Sequence, residues 1–260
     1  MDKVTNEELL VLIKQATAGD KKALETVILS VQDLVFNLSL RMLGTFPDAE
    51  DASQDILVKI ITHLSSFKGE SAFSTWVFRI AVNHLKNYKK HMFAKFPLSF
   101  EFYGDDILNG KIEDVPAEEL KMSCTNVMLQ CLDVESRCIF ILGTMFKVDS
   151  RIAGNILGIT PEAYRQKLSR IRKKMAKFLN DYCGECGGGA CHCINRVNYA
   201  IQNHRISPGN LSFNAAAPIS PETMLEVKEA MDAVDDLSEA FSFYKTYQSP
   251  EALKEIIQKL

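Results

Sequence analysis

Asp149 to Leu179 reads DSRIAGNILGITPEAYRQKLSRIRKKMAKFL, and its order of turn and helix residues decides the fold. Ile152, Ala153, Ile156 and Leu157 recur at helical spacing, Gly158 stops that helix, and Thr160 with Pro161 starts another as N-cap and first helical residue. A short helix, a tight turn and a longer helix make a helix-turn-helix. The longer helix carries Arg165, Lys167, Arg170, Arg172, Lys173, Lys174 and Lys177 with no acid after Glu162. Such a face suits the major groove and its flanking phosphates. A basic solvated helix is the plainer reading, and the turn chemistry ahead of it argues against that.

Seventy residues upstream, Phe73 to Lys90 reads FSTWVFRIAVNHLKNYKK. Here Phe73, Trp76 and Phe78 offer flat faces for unstacked bases, and Arg79, Lys86, Lys89 and Lys90 add positive charge. Alone, the same aromatics would fit the buried side of a helix equally well.

Composition narrows the classes. The chain has 260 residues, 47% of them hydrophobic, and a net charge of −3. A weakly acidic total looks wrong for a nucleic-acid binder until it is resolved by segment. Arg79 to Lys95 and Arg165 to Lys177 hold Lys and Arg without acids, whereas Glu101 to Glu119 and Glu222 to Glu239 are acidic. The first acidic stretch, with Gly104, Asn109, Gly110 and Pro116, is expected to be a flexible linker that DNA repels. The second places Val227, Met231 and Val234 at near-heptad spacing, an apolar seam with an acidic back. No apolar run of about 18 residues is evident, and Met1 to Asp20 mixes acids into an amphipathic pattern. The expectation is therefore no membrane insertion and a cytoplasmic location.

Both blocks carry a family resemblance. Leu40 to Lys90, with DAEDASQDILVKIITHL (Asp48 to Leu64) followed by FKGESAFSTWVFRIAVNHLKN (Phe67 to Asn87), resembles the second conserved region of bacterial RNA polymerase sigma factors of the extracytoplasmic-function type. Leu129 to Leu179 resembles their fourth region. The likeness covers roughly residues 5 to 180, and two blocks in the right order make it more specific than a lone helix-turn-helix.

The resemblance implies an all-α chain with two helical DNA-binding domains, a helical bundle and a helix-turn-helix, joined by a flexible linker and followed by a Cys-rich helical tail. The boundaries expected are 5–96 for region 2, 97–122 for the acidic linker, 123–180 for region 4 and 181–260 for the extension. It also implies core RNA polymerase and promoter DNA as partners, with no covalent catalysis, and leaves a separate anti-sigma protein unspecified. Asp48, Glu50, Asp51 and Gln54 correspond to the polymerase-binding face. Phe67, Lys68, Phe73, Trp76, Arg79, Asn83 and Lys86 correspond to the −10 element contacts. Tyr164, Arg165, Lys167, Arg170 and Lys173 correspond to the −35 contacts, with Tyr164 open as core or contact residue.

Cys183, Cys186, Cys191 and Cys193 crowd four of the chain's seven cysteines into CGECGGGACHC. In a reducing compartment that density is more often a metal site than a disulfide pair, and zinc or copper(I) suits thiolates. A redox-sensing dithiol is the next reading. Some members of the resembled family carry a similar cysteine and Cys-x-Cys arrangement after the fourth region, which Cys183, Cys191 and Cys193 match. Cys124, Cys131 and Cys138, seven residues apart, read as core. Two rival functions remain: a metal-responsive helix-turn-helix repressor that does not bind polymerase, and a Cys183–Cys186 dithiol oxidoreductase. The latter lacks the preceding apolar strand that a thioredoxin-like setting needs.

Overall fold

A computed structural model describes residues 6–95, 97–108, 117–184, 188, 189, 191, 247, 249 and 250. Two compact units emerge, Met1–His91 together with Thr246–Leu260, and Met92–Lys245.

Unit 1 is built on α1 (Asn6–Thr17), α2 (Lys21–Leu43), α3 (Phe46–His63) and α4 (Phe73–Asn87), with a 3-10 turn at Leu64–Ser66. Asp20 caps α2 by accepting from the amides of Lys22 and Ala23, and Thr45 caps α3 by accepting from Asp48. α2 is the central helix, packed by α1, α3 and α4. Its Val27, Ile28, Val35, Phe36, Leu38 and Leu40 are fully buried, each stabilising by about 1.5–3 kcal/mol relative to exposure. Among the described residues α2 is also the one helix long and apolar enough to cross a membrane, with a mean hydropathy of 1.4. This corrects the expectation that the chain holds no such stretch. Here those apolar residues face helices of the same bundle.

Two residues from the far end of the chain complete this unit. Asn37 on α2 accepts the Tyr247 amide at 2.8 Å and donates its Nδ2 to the Tyr247 carbonyl at 2.7 Å. Asp33, one turn earlier, accepts both the amide and the hydroxyl of Ser249 at 2.8 Å.

Unit 2 contains α5 (Met92–Lys95), α6 (Phe100–Leu108), α7 (Ala117–Gln130), α8 (Val134–Phe140), a π-turn at Ile141–Met145, α9 (Ser150–Leu157) and α10 (Pro161–Tyr182). Arg137, pushed down to about 10 by burial, donates to the carbonyls of Leu129, Gln130 and Leu132 and so satisfies the end of α7. Residues 97–122, expected as a flexible linker, are helical at both ends. The reason is aromatic: Phe100 and Tyr103 pack on Phe178 of α10 with centroids 5.1 and 5.6 Å away, and the Tyr103 hydroxyl donates to the Cys124 sulfur. Cys131 and Cys138 are buried, in keeping with their spacing.

The described residues contain helices, turns and a single isolated bridge, Cys183 to Cys191, and no strand. The fold class is all-α. The seam at 222–239 lies outside the described residues.

Candidate nucleic-acid interface

α3 and α4 border a cleft of about 760 Å³ in unit 1. Asp55, Lys59 and His63, spaced four residues apart, come from α3, and Trp76, Ile80, Asn83, His84 and Asn87 form the facing stripe of α4. Tyr88, Lys89 and Lys90 close one end. The cleft thus joins an aromatic face, amide donors and exposed ammonium groups. These are the parts a single strand needs for base stacking and phosphate contact.

Of the residues singled out by sequence, Trp76 and Asn83 line this cleft. Lys68 is exposed in the loop before α4, and Arg79 and Lys86 are half-buried on α4 itself. Phe67, Phe73 and Trp76 form one cluster, with Phe73 stacked on Trp76 at 5.6 Å and 20° and Phe67 edge-on to Phe73 at 5.2 Å. Phe73 is only 3% exposed. It supports Trp76 from behind and has no face left for a base, which corrects its expected role. Asp55, Lys59, His63, His84, Asn87 and Tyr88 escaped the sequence reading, although the four-residue spacing on α3 could have shown the first three.

His84 sits between opposite charges. The Lys59 ammonium donates to its Nδ1 at 2.7 Å, so the neutral ring carries its proton on Nε2, which faces Asp55 at 3.6 Å, beyond hydrogen-bond reach. Burial and then the Lys59 charge hold the imidazole below its usual value, with Asp55 opposing them.

At the start of α3, Asp51 and Gln54 are exposed one turn apart, while Asp48 and Glu50 are half-buried. Asp48 also accepts from the Thr45 hydroxyl at 2.6 Å. Burial, then the neighbouring Asp51 charge, raises the Glu50 carboxyl above the ordinary range. This end of the helix presents carboxylates where its dipole favours them.

In unit 2 the helix-turn-helix forms as its turn chemistry dictates. Gly158 takes the left-handed conformation at φ 72°, and the Thr160 hydroxyl accepts from Ala163 ahead of Pro161. Tyr164 is 1% exposed and its hydroxyl donates to the Ile139 carbonyl at 2.9 Å. A Cβ on Gly143 would lie 2.6 Å from that hydroxyl, so the π-turn must carry glycine there. Tyr164 is therefore a core residue, and its expected DNA contact is withdrawn.

The basic residues of α10 are unequal. Arg165 donates to Ser150 and Glu162, Lys167 pairs with Glu135, and Arg172 reaches Thr144 and the Gly143 carbonyl. Lys174 lies over the Phe100 ring and Lys177 pairs with Asp181. Arg170 and Lys173 are exposed on the same helix.

Cys183 and Cys191 are brought side by side by the parallel bridge, in which the Gly184 amide donates to the Cys191 carbonyl and the Cys191 amide to that of Tyr182. Cys186 and Cys193 lie outside the described residues. No cluster of three or more metal-ligating side chains occurs among the described ones.

Residues 27–91 match the family Sigma-70 region 2. The chain is 34% identical over 85 residues to the RNA polymerase sigma-H factor of Pseudomonas aeruginosa, covering 33% of this chain and 44% of that protein. It is 25% identical over 178 residues to the ECF RNA polymerase sigma factor SigW of Bacillus subtilis, covering 65% of this chain and 95% of that protein. The match thus spans less than half the length of sigma-H but nearly all of SigW. In fold it resembles the solved structure of CnrH in complex with the cytosolic domain of CnrY, with a TM-score of 0.50 and 22% identity over 65% of this chain and 96% of that one. With a region 2 match over the α2–α4 bundle and one relative matched through the helix-turn-helix, the chain is similar to the extracytoplasmic-function sigma factors of bacterial RNA polymerase.

Proposed function

We propose that this chain directs core RNA polymerase to specific promoters and helps open them. Unit 1 meets the polymerase through the acidic start of α3, with Asp51 and Gln54 outermost. The α3–α4 cleft takes the separated −10 strand, where Trp76 stacks a base, Asn83 reads an edge, and Lys89 and Lys90 hold phosphates. α10 of unit 2 reads the −35 element, with Arg170 and Lys173 as its most available cations. These partners imply a cytoplasmic site of action.

The observation that carries this reading is the cleft itself, which combines an aromatic face, amides and ammonium groups inside the segment matched as region 2. A repressor that binds duplex operator has no use for an aromatic trap of this kind. Extruding a base costs a few kcal/mol, which stacking and pocket contacts must offset. Run-off transcription with purified core polymerase tests the proposal: promoter-dependent transcripts are expected with the chain and not without it. Operator binding with no effect on polymerase would instead favour the repressor.

We further propose a thiolate metal site in the cysteine segment. The reading is supported by Cys183 and Cys191, which the parallel bridge brings side by side, and Cys186 and Cys193 would add two more thiolates for zinc or copper(I). Metal analysis of the reduced, reconstituted protein should find about one equivalent, lost in Ser variants of these cysteines.

A further inference from the structure

We infer that the segment bearing Tyr247 and Ser249 is a latch that docks in cis on α2 and opposes polymerase binding at the adjoining corner of unit 1. The contact is specific. Asn37 reads the Tyr247 backbone with both halves of its amide, and Asp33 takes the amide and hydroxyl of Ser249 on one carboxylate oxygen. The Tyr247 ring meets Phe46 edge-on at 5.7 Å, and the Arg41 guanidinium lies over it at 5.5 Å. Tyr247 is 8% exposed and Ser249 4%, so the segment is seated rather than draped.

The place matters because of its neighbours. Phe46 is the first residue of α3, and Asp48, Glu50 and Asp51 come next. A partner approaching the acidic start of α3 therefore meets the Tyr247 ring against Phe46 whenever the latch is closed. The docked segment belongs to the same chain, so its docking is intramolecular and needs no second molecule. Asp33 is exposed, so water competes for its hydrogen bonds and the latch can open without unfolding α2. What the latch opposes rests on the proposed polymerase contact, whereas the docking itself does not.

The test uses the full chain and its Asp33→Ala variant, a change at an exposed position that removes both Ser249 bonds. Hydrogen exchange at the amides of Tyr247 and Ser249 should be protected in the unmodified chain and at least about tenfold faster in the variant, as expected for losing hydrogen bonds to a charged group. A second variant, Tyr247→Ala, should also speed exchange at Ser249. Titration with core polymerase should then show both variants binding more tightly than the unmodified chain. Free-peptide exchange rates in the unmodified chain would refute the docking. Release of the amides with unchanged polymerase affinity would refute the opposition. Absence of polymerase binding by every form would refute the sigma reading, while the exchange result would still decide the docking.

Discussion

The two basic faces of this protein use their charge differently. On α10 most cations are engaged inside unit 2: Arg165 with Ser150 and Glu162, Lys167 with Glu135, Arg172 with the π-turn, Lys174 with Phe100. In the α3–α4 cleft, Lys89 and Lys90 are exposed at the rim and one lysine, Lys59, is turned onto His84. A run of seven basic residues thus offers DNA far fewer free cations than its count suggests. Much of that charge fastens α10 to its own domain.

The largest effect is expected from Trp76→Ala. Losing the cleft's stacking face should weaken open-complex formation by about 1–3 kcal/mol, read as permanganate reactivity at the −10 element, while −35 duplex affinity is unchanged. Equal loss at both elements would show that the two faces do not have separate tasks. Next comes Tyr164→Phe, which strips the buried Ile139 carbonyl of its donor. Stability in urea should fall by about 1–3 kcal/mol with DNA affinity retained in the folded fraction. A direct loss of affinity would return Tyr164 to the reading face.

On α10 itself, Lys173→Ala should flatten the salt dependence of −35 binding by about one charge. Lys167→Ala, whose ammonium already has Glu135, should change it less, and equal slopes would show that the pairing gives way on DNA. The smallest effect concerns His84. Its folded pKa is lowered, so its contribution to stability is fully present above the unfolded value of 6.5 and is lost as pH falls through the folded value. Thermal melts from about pH 7 to about pH 5 should show a loss that His84→Gln reduces. A variant with the same pH dependence would assign the loss to other groups.

How much of this could be read from the sequence depends on the range of the forces involved. Gly158, Thr160 and Pro161 act within one turn of chain, so the helix-turn-helix was legible from its residues. Cys131 and Cys138 announced their burial by spacing. Phe73 and Tyr164 did not, because a large aromatic at helical spacing suits a buried stripe and a contact face equally. The partners that engage Arg172 and Lys167 lie 28 and 32 residues upstream, and nothing local marks them. Acidic composition also misled at 97–122, where Phe100 and Tyr103 outweigh their charged neighbours by packing on Phe178. The latch was least legible of all: two residues without periodicity meet a helix more than two hundred residues away.

That separation has a consequence for how the protein is made. Ribosomes deliver a chain from its first residue, and domains usually fold as they emerge. Unit 1 cannot follow that order to completion, because Asn37 waits for Tyr247 and Asp33 for Ser249 through the synthesis of all of unit 2. A nascent unit 1 therefore lacks its Tyr247 and Ser249 contacts until unit 2 has been made.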